Sequence, residues 1–254
     1  MSFDLLLVLA AAFAAGLVDA MVGGGGLIQI PALFAVYPGV APAALLGTSK
    51  FSGLFGMVSA VARYAQKVTI PWRALLPMAL VALVMSVGGA WLARVVAPEV
   101  FRPLVPLMLL AVLVYVVWRK DLGGEHAPRA FSGSHHLVGA GLIAAIGLYD
   151  GFFGPGTGSL LIFVFVRCYG YDFLHAGAAA RVINVATNSA ALSFFALHGL
   201  VLWHVGAGMA VCNIVGAAIG ARLALRGGSA FVRKAFIVIV SLLILRTAWT
   251  ALQS

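Results

Sequence analysis

Two acids, two bases and two glycine runs stand inside otherwise apolar sequence, and the set occurs twice. Gly16-Leu17-Val18-Asp19 precedes Gly23, Gly24, Gly25 and Gly26; 131 residues later Gly147-Leu148-Tyr149-Asp150 precedes Gly154-Pro155-Gly156-Thr157-Gly158. The same offset lays Lys50 on Arg181, Trp72 on Trp203, Gly89-Ala90 on Gly220-Ala221 and Arg102 on Arg233. Ionisable groups embedded in apolar sequence are costly, and a bilayer keeps them where they serve a pathway or a binding site.

Each member of the set has a chemistry and a plainer alternative. Glycine costs a helix about 1 kcal/mol against alanine, so consecutive glycines break or bend it. A helix restarting at Gly25–Leu27, or at Gly156–Ser159, offers free N–H groups and a positive dipole end to an anion. The expected anion-facing positions there are Gly24, Gly25, Gly26, Gly156, Thr157 and Gly158. Isolated glycines such as Gly88, Gly89 and Gly220 read instead as close helix packing.

Lys50 follows Gly47-Thr48-Ser49 and Arg181 follows Ala178-Ala179-Ala180, each near the start of a long span. Such bases either snorkel to the headgroups or face an internal cavity and counter a bound anion. Arg181, Asn184 and Asn188 fall at i, i+3 and i+7 on one helix face, with Thr187 beside them. Ser49, Ser52, Gly56 and Ser59 form the matching small, polar face of the first half, and Thr48 joins Ser49 as a hydroxyl donor. A lined cavity and hydrogen-bonded helix packing both account for these stripes.

Asp19 and Asp150 complete the constellation, with Asp19 expected to pair with Lys50 and Asp150 with Arg181. The acids then either hold the bases or take up a proton as substrate moves; the sequence leaves both roles open. Trp72 and Trp203, at matching loop ends, suit interfacial anchoring. Gln29 and Pro31 follow the first glycine run, and Gln29 serves the pocket or helix packing. Glu125, His126, His135 and His136 invite a metal, but their spacing fixes no common element, so a solvated loop is expected. Cys168 and Cys212 have no repeat partners and read as small buried hydrophobes. No metal or cofactor is implied.

The elements that must position these residues follow from composition. Apolar residues make up 63% of 254 positions, charged residues 9%, and mean hydropathy is +1.09. Soluble domains carry roughly 45–50% apolar and about 25% charged residues, so the chain is read as a polytopic all-α membrane protein. The net charge of +9 is spread between apolar spans rather than gathered into a patch, which points to topology and not to nucleic acid. The N-terminal apolar run carries Asp4 in place of a basic leader region and mirrors 137–151, so it is kept as part of the fold.

Glycine-interrupted segments at corresponding positions of two halves are the pattern of a secondary transporter. Residues 1–118 are expected to form the first transmembrane repeat, 119–136 a polar cytoplasmic linker, and 137–254 the second repeat. In each half a hairpin, 3–22 with 27–37 or 137–153 with 159–169, precedes three full spans. Those are expected at 43–65, 74–96 and 103–118, then 173–197, 205–225 and 231–252. Two inverted repeats of this kind give eight to ten membrane segments. Arg63, Lys67 and Arg73, the linker bases, and Arg222, Arg226, Arg233 and Lys234 then share the cytoplasmic side.

The chain resembles the TauE/SafE sulfite-exporter family of bacterial permeases over nearly its whole length. The resemblance rests on Gly16-x-x-Asp19 with Gly23 to Gly26, on Gly47-Thr48-Ser49-Lys50, and on Ala180-Arg181-Val182-Ile183-Asn184 with Thr187-Asn188. Gly216, Gly220 and Ala221-Arg222-Leu223-Ala224 fit as well. It implies a permease for small anions such as sulfite or organosulfonates in a prokaryotic inner membrane. The expected function is secondary transport, with export implied, by alternating access, and the expected partners are a small anionic substrate and membrane lipid. An anion channel would need basic rings where each half offers one base. A membrane-embedded enzyme would need a nucleophile, acid–base pair or metal cluster within the spans. A receptor that binds an anion without moving it fits the duplication less well. Substrate, direction, coupling ion and oligomeric state are not written in the residues.

Overall fold

A computed structural model describes residues 3–95, 126–129 and 133–252, and every regular element within them is helical. In chain order these are α1 (Phe3–Val22), α2 (Gly26–Val36), α3 (Pro42–Ala65) and α4 (Trp72–Val95). Then come α5 (Gly133–Phe152), α6 (Thr157–Tyr169), α7 (Phe173–Leu197) and α8 (Trp203–Leu252). The span expected at 103–118 and most of the linker lie outside the described residues.

The breaks fall where the backbone chemistry puts them. α1 stops at Gly23, whose φ of 79° is left-handed, and α2 restarts three residues later. In the second half Gly154 (φ 91°) and Gly156 (φ 80°) make the corresponding turn before α6. Asp172 caps α7, its carboxylate accepting the His175 N–H at 2.7 Å. One expectation shifts: α5 begins at Gly133, so His135 and His136 stand on its first turn rather than in the linker. The two spans expected at 205–225 and 231–252 are two helical stretches within the 50 residues of α8, which would run about 75 Å if straight, against a hydrocarbon core of about 30 Å. They meet at a kink at Gly228, whose φ of 68° and ψ of −172° are open essentially to glycine alone.

Packing pairs the first helix of each half with the fourth of the other. Gly16 of α1 lies against the carbonyl of Asn213 in α8, and Gly147 of α5 against that of Ala82 in α4. Gly220 meets the carbonyl of Leu17, and Gly89 that of Leu148. All four contacts obey the 131-residue offset, and each brings two backbones together where a Cβ has no room.

α3 and α7, which the repeat relates, run antiparallel at the centre. The N–H of Leu202, just past the end of α7, donates to Thr48 Oγ1 near the start of α3, at 2.9 Å. The far end of α3, at Arg63 and Lys67, shares a cavity with Leu174 at the start of α7.

The outer faces are apolar. Leu80 and Val84 of α4 are 62% and 67% exposed, and Val211, Val215 and Ile219 of α8 are also open. Among the described residues four helices are long and apolar enough to cross a bilayer by length and composition: Asp4–Val22, Pro42–Ala65, Trp72–Val95 and Trp203–Ile239. An exterior of this kind is stable facing lipid, and the chain is a multi-pass membrane protein. The polar inventory is kept inward: Arg181, Asn184, Thr187 and Asn188 of α7 are all buried.

Candidate functional site

The two glycine breaks touch. Ser159 donates its N–H to Gly23 O at 3.1 Å and its hydroxyl to Val22 O at 2.8 Å. Gly23 and Gly158 pack backbone to backbone. Around this junction lies a cavity of about 60 Å³. By that measure roughly 10–15 Å³ holds one water, so the space admits a few waters or one compact oxyanion.

Gly25, Gly26, Ser49, Lys50, Gly156, Thr157, Gly158, Asn184 and Asn188 line it, together with Asp19 and Asp150. The N–H groups of Gly26, Gly156 and Gly158, at the starts of α2 and α6, make no hydrogen bond among the described residues. Asn184 is 4% exposed, and its amide oxygen is buried without a partner.

The charges are paired across the halves, not within them. Lys50 Nζ bonds Asp150 Oδ1 at 2.7 Å with both side chains buried. Asn188 Nδ2 holds the other carboxylate oxygen at 3.0 Å and the Asn184 carbonyl at 2.9 Å. The expected pairs Asp19–Lys50 and Asp150–Arg181 are not formed. The reason lies in the junction: Lys50 reaches into the turn of the second hairpin, beside Gly154, so it meets the opposite half's acid. Asp19 is left with the N–H of Gly25 at 3.2 Å, and no cation pairs with it among the described residues.

Four of the expected site residues stand outside the cavity. Arg181 packs its guanidinium 4.5 Å over the Tyr64 ring and donates to Asp19 O at 2.8 Å and to Gly177 O. Tyr64 in turn donates to Ala20 O at 3.0 Å. Arg181 thus clamps the C-terminal end of α1 rather than facing solute. Thr48 Oγ1 bonds Ala44 O at 2.7 Å and takes the Leu202 N–H. Thr187 Oγ1 bonds Asn184 O at 3.1 Å. The Gly24 carbonyl accepts from Leu27 N at 3.1 Å. Short hydroxyls on a helix often satisfy themselves on the preceding turn, which face position alone does not reveal.

The sequence missed Asn213. Its amide donates to Ala12 O and to Gln29 Oε1, both at 3.1 Å, while Gln29 Nε2 donates to Ser49 O and Oγ at 3.1 Å. Gln29 and Asn213 therefore form a second polar wall. A lone amide inside the apolar run 205–225 was the available signal, but its repeat partner is Ala82, so the duplication hid it.

His126 also departs from a simple solvated loop. It is exposed, yet its ring stacks on His175 at 3.7 Å between centroids, and His175 Nδ1 lies 2.9 Å from Asp172 Oδ1. The ligand-capable atoms of the three residues fall within 4.8 Å of one another. Burial and His175 lower the His126 pKa below its usual value, with Asp172 opposing them. Glu125 lies outside the described residues. Tyr169 OH faces His136, 3.4 Å from Nδ1 and 3.3 Å from O. Trp72 and Trp203 are exposed at the starts of α4 and α8, as anchors would be.

With this geometry in view, comparison is decisive: residues 8–247 match the family described as sulfite exporter TauE/SafE. The chain belongs to the TauE/SafE family. A Sinorhizobium protein named probable membrane transporter protein ORF9 is 38% identical, over 95% of this chain and 91% of its own length. A probable membrane transporter protein of Haemophilus influenzae is 34% identical, over 92% and 91%. The probable membrane transporter protein YfcA of Escherichia coli K12 is 35% identical, over 91% and 84%. No solved structure matches. This TauE/SafE chain is a membrane transporter, and its cavity sits where its two glycine breaks meet.

Proposed function

We propose that this transporter moves a small oxyanion, of the sulfite or organosulfonate class, across a prokaryotic inner membrane by alternating access of its two halves, in the export direction. The reading is carried by one observation: the N–H groups of Gly26, Gly156 and Gly158, unbonded among the described residues, line a small cavity beside Lys50. Such donors at the positive ends of two helices suit an anion, and the buried Asn184 amide oxygen would accept from a proton that the anion carries. The antiparallel run of α3 and α7 supports inverted halves, which rock about a central site in such carriers.

Proton coupling follows from the charges. Lys50 is neutralised by Asp150, and no cation pairs with Asp19 among the described residues. An anion brought into this low-dielectric space adds uncompensated charge. A proton on Asp150 would release Lys50 Nζ to the substrate, and a proton on Asp19 would remove the nearest repulsion.

Uptake of labelled sulfite, with an organosulfonate and a simple carboxylate as comparators, would be measured in proteoliposomes under an imposed pH gradient. Saturable, gradient-driven flux lost in Lys50→Ala and Asn184→Leu is the expected result. Undiminished flux in both variants would remove the site, and non-saturable flux would favour a channel.

A further inference from the structure

A second cavity, of about 570 Å³, opens at the end of the molecule where α3 finishes and α8 nears its bend. Arg63 and Lys67 approach it from α3 and its following loop, Arg222 and Arg226 from α8, and Leu174 and Leu225 supply apolar wall. Among the described residues none of the four cations has an ion-pair partner, and Arg63 Nε is buried without a hydrogen-bond acceptor. The acid nearest in sequence, Asp172, is engaged in capping α7 and in bonding His175.

Membrane topology accounts for each of these bases singly, since cytoplasmic loops collect Lys and Arg. It does not account for their convergence. Two come from the 63–67 segment and two from 222–226, onto one concave space with no acid among its described lining residues. Four like charges in one cavity repel, and the arrangement is relieved by an anion bearing more than one charge. Guanidinium groups match phosphate oxygens in fork geometry, which a single ammonium does not.

We propose that this basic vestibule is a binding site for a phosphate-bearing anion, distinct from the cavity between the glycine breaks and independent of what that cavity carries. Its volume far exceeds that of the other cavity, so it is scaled to a headgroup-sized ligand rather than to a lone small oxyanion. The leucine walls and the position at helix ends place it where an acidic phospholipid would present its phosphate. A soluble phosphate shares the same chemistry, and experiment separates the two sources.

The purified full chain would be reconstituted in phosphatidylcholine with or without phosphatidylglycerol, and separately titrated with inorganic phosphate in detergent. Lipid retention by native mass spectrometry and the shift in melting temperature would be read. The comparison variants are Arg222→Gln with Arg226→Gln, the loop variant Lys67→Gln, and Arg94→Gln as a charge-matched control outside the vestibule.

Retention of phosphatidylglycerol that falls at least tenfold in the vestibule variants but not in Arg94→Gln is the expected result, and it assigns the lipid source. A melting shift with phosphate alone, lost in the same variants, supports the site with a soluble ligand. Equal binding in wild type and vestibule variants overturns the proposal, as does an equal loss in Arg94→Gln. Should the double variant not fold, Lys67→Gln carries the test.

Discussion

Lys50 Nζ and Asp150 Oδ1 lie 2.7 Å apart, buried, and join a helix of the first half to the hairpin of the second. The bond makes the two halves electrically complete only in each other's presence. On the proposed function, an anionic substrate would compete with a carboxylate already seated on the ammonium.

Removing one partner leaves the other charged and buried, which typically costs about 3–5 kcal/mol, while replacing both with apolar groups is often near neutral. Lys50→Met and Asp150→Leu are each expected to lower the melting temperature in detergent sharply. The double variant should regain most of that stability yet transport nothing. A double variant as unstable as either single one would mean the pair is not the cause.

Arg181 is expected to behave as a clamp. It stacks on Tyr64 and donates to the carbonyls of Asp19 and Gly177. A lysine cannot reproduce a planar fork over a ring, so Arg181→Lys should destabilise by about 2 kcal/mol, in the range of a desolvated cation–π contact. Its effect on apparent substrate affinity should be small beside that of Lys50→Ala. The reverse ranking in a flux assay would return Arg181 to the cavity.

The sequence carried the helices, the breaks and the inward set of charges, because apolar runs, glycine clusters and the repeat are local or periodic signals. It could not carry partner choice. Lys50 and Arg181 stand at equal sequence distances from the acids of their own halves, yet Lys50, held beside Gly154 of the other half's turn, pairs with Asp150, and Arg181 bonds the Asp19 carbonyl. Thr48 and Thr187 stand next in sequence to the lining residues Ser49 and Asn188 but bond to nearby backbone. Asn213 and Gln29 found each other across 184 positions, a pairing no spacing rule encodes.

The glycine contacts give a test of the exchanged packing. Ala at Gly89 or Gly220 would put a methyl into the Leu148 or Leu17 carbonyl. Small-to-large changes in tight packing cost about 1–3 kcal/mol, so both variants should melt early, and by similar amounts because the sites are equivalent. Gly141 faces open space with ordinary helical geometry. Gly141→Ala should therefore be stabilising by up to about 1 kcal/mol. Early melting of Gly141→Ala, with Gly89→Ala unaffected, would contradict the α4–α5 contact.

The last prediction concerns pH and the linker. Ala127 and Arg129 donate their N–H groups to Gly170 O at 3.0 Å and Tyr169 O at 2.9 Å, clipping the chain to the loop before α7. His126 sits at the start of this clip, its pKa lowered below 6.5 by burial first and by the stacked His175 second, with Asp172 pulling the other way. Well above pH 6.5 the ring is neutral whether the clip is docked or released, and docking has full strength. Below it the released linker takes the proton more readily than the docked one, so docking weakens as pH falls, until the docked ring also protonates. Hydrogen exchange at the Ala127 and Arg129 amides, corrected for intrinsic rates, should show a several-fold larger open population at pH 5.5 than at 7.5. His126→Ala should flatten that dependence. Exchange that stays equally protected at both pH values in the unsubstituted chain would show that protonating His126 does not release the clip.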